Sequence, residues 1–111
     1  MIVFSIQKAK YRDIWPCRGA LYAEGRWNRP GQWIIYSSES VSLAKLEILA
    51  NSITLPKNML LFEIEIDDSL NILRLEESDL PDSWDAFPYP KSLHKLTGQF
   101  LKDSNYGVMS V

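Results

Sequence analysis

Residues 60–66, Leu-Leu-Phe-Glu-Ile-Glu-Ile, place Phe62, Ile64 and Ile66 on one side of an extended chain and Glu63 and Glu65 on the other. Such alternation makes a strand with one dry face and one wet face, as in a sheet covered by a single layer. Two helical segments accompany it. The first, about Val41 to Asn51, follows the capping serines Ser38 and Ser40 and carries Val41, Leu43, Ala44, Leu46, Ile48, Leu49 and Ala50. The second, Ser92 to Asp103, is amphipathic through Leu93, Leu96, Phe100 and Leu101, with Gly98 as a weak point. Met1–Ile6 and Trp33–Ser37 read as strands, and Asn71–Leu75 and Val108–Val111 as two more short ones. Gly19–Gly31 and the acidic, proline-bearing Glu76–Pro90 read as loops. The order β–loop–β–α–β–β–α–β predicts an α+β domain.

At 111 residues the expectation is one domain, and 46% hydrophobic residues are enough for a packed core. The single Cys17 excludes an internal disulfide framework and a cysteine-based zinc site, and the single His94 excludes a two-histidine metal motif. No metal is therefore expected. No apolar stretch reaches the roughly 18 residues that a membrane span needs. The first six residues lack a basic region and a long apolar core, so the expected compartment is the cytoplasm. A net charge of −2 gives no global field for nucleic acid, and the aromatic residues do not interleave with a basic stripe. The charge is uneven along the chain. Residues 1–36 hold six bases against two acids, residues 37–90 three against eleven, and residues 91–111 three against one. A basic first third can hold a phosphate or pyrophosphate, although charge alone favours a mixed solvated surface.

Glu47 is the most informative position. It lies on or beside the apolar stripe of the first helix, where a carboxylate is costly unless paired, tends to a raised pKa and is enriched at active sites. The other reading is a glutamate at the stripe's edge reaching water or an arginine. Glu24-Gly-Arg-Trp-Asn-Arg-Pro-Gly31 brackets two guanidinium groups, an indole and a carboxamide between glycines. Arginine suits bidentate phosphate contact and tryptophan stacks, although a surface turn with solvated arginines is equally consistent. Tyr36 stands where the strand meets the helix start, a common place for a site, although an ordinary core or rim tyrosine is the favoured reading. His94, beside Lys95 on the second helix, reads as a surface histidine, and Cys17 lacks the partners of a nucleophile.

Together these stretches resemble the RES-domain family, toxins of bacterial toxin–antitoxin pairs. The resemblance rests on Met1–Ile6, on Arg18–Gly31 with its Gly-Arg-Trp-Asn core, on Ile35-Tyr-Ser37 and on Leu43-Ala-Lys-Leu-Glu47, with weaker matches around Leu96–Gly98 and Gly107–Val111. It implies a single domain similar to the ADP-ribosyltransferase fold, with small twisted sheets and flanking helices. It implies NAD as the substrate, cleaved at the nicotinamide–ribose bond with water or phosphate as acceptor, so that growth stops. It implies an Xre-type helix-turn-helix antitoxin as partner, with no direct nucleic acid or membrane contact and with homo-oligomerisation left open. On these residues the family's acid falls on Glu47, its tyrosine on Tyr36 and its block arginine on Arg26. Trp27 and Asn28 complete the block as NAD-binding candidates. The expected geometry has Glu47 opening into the same hollow as the Arg26 guanidinium.

The chain departs from the family in two places. Ser5 stands where the family usually has an arginine, and the chain stops at Val111, before the Pro-Ser strand with which the family continues. Ser110 is not assigned that serine's role. The expectation is a RES-like domain over residues 1–111, incomplete at its C-terminus. The alternative readings are a catalytically impaired relic that binds the antitoxin or NAD, and a small interaction domain using its aromatic surface.

Overall fold

The computed structural model describes residues 1–50, 52, 54 and 56–111. Within them the chain forms two units, residues 1–18 with 35–67, and residues 19–34 with 68–111.

In the first unit β1 (Ile2–Lys8) pairs antiparallel with β2 (Met59–Glu65), from Ile2 opposite Glu65 to Lys8 opposite Met59. Val3 faces Ile64 and Ser5 faces Phe62, so the apolar side of the alternating segment shares a face with the two buried residues of β1. Trp15 stacks on Phe62 with ring centroids 5.4 Å apart. The helix Val41–Ala50 packs against β1 and buries Ala44. Its start is capped as expected, with the Leu43 backbone N–H donating to Ser40 Oγ at 3.1 Å. Asn51, the last residue expected in this helix, lies outside the described residues.

Trp33–Ser37 is not a strand. A strand needs a ladder, and this stretch leads only to an isolated bridge, Phe4 with Ser38, closed by two backbone bonds of 2.8 Å.

The second unit begins with a short helix, Gly19–Tyr22, inside the stretch expected to be loop. Numbered in chain order, this is α1, Val41–Ala50 is α2, and Ser92–Lys102 is α3. Here β3 (Ile72–Arg74) and β4 (Val108–Ser110) pair in parallel, with Ile72 opposite Val108. Parallel neighbours require a crossover, and α3 lies within it. Leu93, His94 and Thr97 form the buried stripe of α3. Gly98, unfavourable in a helix interior by about 1 kcal/mol, is where the Gln32 amide approaches, since a Cβ there would stand 3.3 Å from Gln32 Nε2. Two small sheets and three α-helices among the described residues make the α+β class. No helix among the described residues is long and apolar enough to cross a membrane.

Candidate functional site

In the second unit the glycine-bounded block is a closed turn. Gly25 N–H donates to the Asn28 carbonyl at 3.0 Å and Asn28 N–H to the Gly25 carbonyl at 3.4 Å, which leaves Arg26 and Trp27 at the tip. Gly31, with φ +94°, ends the block in a region that a side chain disfavours, and its N–H donates to the Leu21 carbonyl at 3.0 Å.

Buried polar side chains hold this turn in place. Asn28 is 1% exposed, and its Nδ2 donates to the carbonyls of Ala20 and Ala23 at 3.0 Å and of Arg29 at 3.3 Å. From α3, the Thr97 hydroxyl donates to the Trp27 carbonyl. His94 Nε2 lies 2.9 Å from the Gly25 carbonyl, and since a carbonyl only accepts, Nε2 carries the proton. Gln32 completes the seam, donating to the His94 carbonyl at 3.0 Å and accepting from Arg29 N–H at 2.9 Å. His94, expected on the surface, is thus a structural peg that is 3% exposed. The signal for it was present in the sequence: His94 and Thr97, three residues apart beside Leu93, belong to one helical face.

Arg26 is anchored as well. Both protons of its Nη1 go to backbone carbonyls, Trp84 at 2.8 Å and Ala86 at 2.9 Å. Its guanidinium carbon stands 5.7 Å from the Tyr89 ring centroid. Tyr89 in turn donates to the Glu24 carboxylate and tilts against His94 with ring centroids 5.7 Å apart. Partial burial first, then the Glu24 hydrogen bond and charge, hold the Tyr89 phenol above 10.0, with Arg26 opposing. The phenol is therefore neutral, and its bond to Glu24 intact, below that value; the contribution is lost as pH rises through the raised pKa. In a phenolate absorbance titration, the Tyr89 step is expected to move to lower pH in Glu24→Gln, which removes the hydrogen bond and the charge but not the burial.

Tyr36 and Glu47 belong to the first unit. Glu47 is exposed, not buried beside the core, and its Oε2 accepts from Ser38 Oγ at 3.3 Å. The reason is its place on α2. Val41, Ala44 and Ile48 make the inward face of that helix, and Glu47 stands off it, as do the exposed Leu43, Leu46 and Leu49. Ser38 is itself fixed by its bridge to Phe4, which gives the hydroxyl a defined place against the carboxylate. The Tyr36 ring is open to solvent, and Trp27 is half-buried. Ser5 is buried at 2% exposure and accepts from Gln7 Nε2 at 2.8 Å.

The RES domain family model matches residues 2–109. The chain is similar to a protein of Sphingobium named Prs ADP-ribosylating toxin, 42% identical over 76 residues that make up 63% of this chain and 46% of that one. It is also similar to Toxin Res of Photorhabdus laumondii, 33% identical over 96 residues, 83% of this chain and 60% of that one. The chain therefore spans about half the length of the curated relatives it matches.

Proposed function

Because the chain belongs to the RES-domain family, we propose that it is an NAD-consuming toxin that cleaves the nicotinamide–ribose bond, with Glu47 and Tyr36 at the reacting sugar. The family match over residues 2–109 carries this reading. The name of the Sphingobium relative supports it, since ADP-ribosylation draws its ADP-ribose from NAD. In the proposed step the C–N bond breaks heterolytically, nicotinamide leaves with the electron pair, and the ribose becomes oxocarbenium-like. The Glu47 carboxylate, exposed and held by Ser38, stabilises that developing charge. The acceptor's lone pair then forms the new bond to the ribose carbon and the acceptor loses a proton. Water or phosphate fills that role.

Tyr36 and Trp27 offer rings for stacking. Arg26 contributes charge toward the pyrophosphate, with Nη1 already committed to carbonyls. Asn28 acts through the turn it holds. The fold so used is similar to that of ADP-ribosyltransferases, the compartment is the cytoplasm, and an Xre-type antitoxin neutralises the toxin. A second reading, an impaired binding module, is favoured by Ser5, which places a buried hydroxyl where the family usually has a guanidinium.

The deciding experiment is to incubate the purified protein with NAD and follow free nicotinamide by chromatography. Release above the buffer control supports the enzyme. Saturable NAD binding with no release supports the binding module, and neither binding nor release removes both.

A further inference from the structure

Residues 75–90, in the second unit, hold the acids Glu76, Glu77, Asp79, Asp82 and Asp85 and no base. From this stretch Phe87 stands 91% exposed, more than any other large apolar side chain among the described residues. The chain on both sides of it is fastened. Arg26 Nη1 donates to the carbonyls of Trp84 and Ala86 before it, and Tyr89 after it donates to Glu24 and tilts against His94. Two turns tighten the same stretch, with Trp84 N–H donating to the Pro81 carbonyl at 2.9 Å and Ala86 N–H to the Ser83 carbonyl at 3.0 Å. The ring is therefore offered to solvent from an ordered support, which lowers the entropy cost of docking it. Aromatic anchors of this kind carry much of the energy of protein interfaces. Asp82 and Asp85, both exposed beside it, repel nucleic-acid phosphates and anionic lipid. The loop fits an apolar recess with a basic rim on a protein.

The first unit carries such a recess. A hollow of about 410 Å³ is lined by Lys8, Lys10, Pro56, Lys57, Asn58 and Met59. Half-buried Pro56 and Met59 give it apolar surface, and the three lysines give it a basic rim. The end of the β1–β2 ladder holds it in shape: Lys8 lies opposite Met59, and Ala9 N–H donates to the Asn58 carbonyl at 2.7 Å. Among the described residues, Asp82, Asp85, Lys8 and Lys57 make no ion pair within the chain. Charges of both signs are thus left uncompensated, each beside apolar surface.

We propose that the chain associates with a second copy of itself, with the Phe87 loop of one copy seated in the Lys8–Lys57 hollow of the other. Phe87 covers Pro56 and Met59, and Asp82 and Asp85 meet the lysines. A contact between two different patches joins copies head to tail, or is made twice over in a twofold pair. It does not depend on whether NAD is cleaved.

The test is sedimentation velocity of the full chain over a range of concentrations. Association that grows with concentration and weakens as salt is added is expected. Phe87→Ser is expected to weaken it by about tenfold or more, with thermal denaturation unchanged because the ring is exposed. Lys8→Glu with Lys57→Glu is expected to leave a monomer, and so is Asp82→Lys with Asp85→Lys. The two charge-reversed proteins are expected to associate with each other when mixed, since opposite signs then meet again. Glu63→Gln with Glu65→Gln, on the exposed face of β2, is expected to change nothing. A monomer at every concentration overturns the inference and leaves the loop to a different basic protein. Association that survives Phe87→Ser, reversed proteins that stay apart when mixed, or equal loss in the Glu63/Glu65 control overturns it as well.

Discussion

Glu47→Gln is expected to lower nicotinamide release from NAD by about 10²–10³-fold, the usual effect of removing a group that meets developing charge in a transition state. The substitution keeps the shape of the side chain and leaves an oxygen for Ser38 Oγ, now 3.3 Å from Oε2. Glu47 is exposed, so the change in stability is expected to stay within about 0.5 kcal/mol. The comparison is therefore between rates of two folded proteins, checked by thermal denaturation alongside the assay. Release at the parent rate would take Glu47 out of the reaction and the proposed mechanism with it.

The second large effect is on the fold. Asn28→Ala leaves the carbonyls of Ala20, Ala23 and Arg29 without the amide that serves them, at a position 1% exposed. A lost hydrogen bond costs about 0.5–1.5 kcal/mol, and three part-buried ones go here, so the expected loss is about 2–4 kcal/mol. For a domain of this size that is a fall of about 10–20 °C in Tm. Asn28→Asp provides the sharper comparison. It preserves size but points a carboxylate oxygen at carbonyl oxygens, and it is expected to be at least as damaging as alanine. If Asn28→Asp unfolds at the parent temperature, the amide is not what holds the turn.

The strands and helices were readable where a local rule acts alone. The alternation over residues 60–66 became β2 with Leu61, Glu63 and Glu65 exposed, and Ser40 capped α2 where a serine should. Of the stripe Leu93, Leu96, Phe100 and Leu101 expected on α3, the first three turn inward and Leu101 is exposed, and the helix's glycine has a reason once Gln32 is seen to approach it. Reading failed where a partner decides. Trp33–Ser37 has the composition of a strand yet meets β1 only through the Ser38 bridge that follows it. Glu47 was placed on or beside the apolar stripe, but the face that α2 turns inward is Val41, Ala44 and Ile48, and the carboxylate lies off it in water. His94 looked like a neighbour of Lys95 on the surface, although its position three residues before Thr97 placed it on the inner face.

The candidate site divides in the same way. The block Gly25-Arg-Trp-Asn28 and the acid at Glu47 were visible as residues in order, and the family resemblance lies in that order. Their surroundings were not. That Arg26 reaches the carbonyls of Trp84 and Ala86, some sixty positions away, cannot be inferred from either stretch. Nor can the meeting of Glu24 with Lys91 and His94.

Residue order by itself determined the α+β class, the limits of most elements, the absence of cysteine or histidine pairs for a metal, and the membership of the family. Tertiary structure alone decided which polar side chains are buried as pegs, which acid stays in water and which cations share a hollow. The division has a physical cause. Capping, alternation and turn preference act between near neighbours along the chain, whereas burial and hydrogen-bond partnership are settled between segments that only folding brings within a few ångströms.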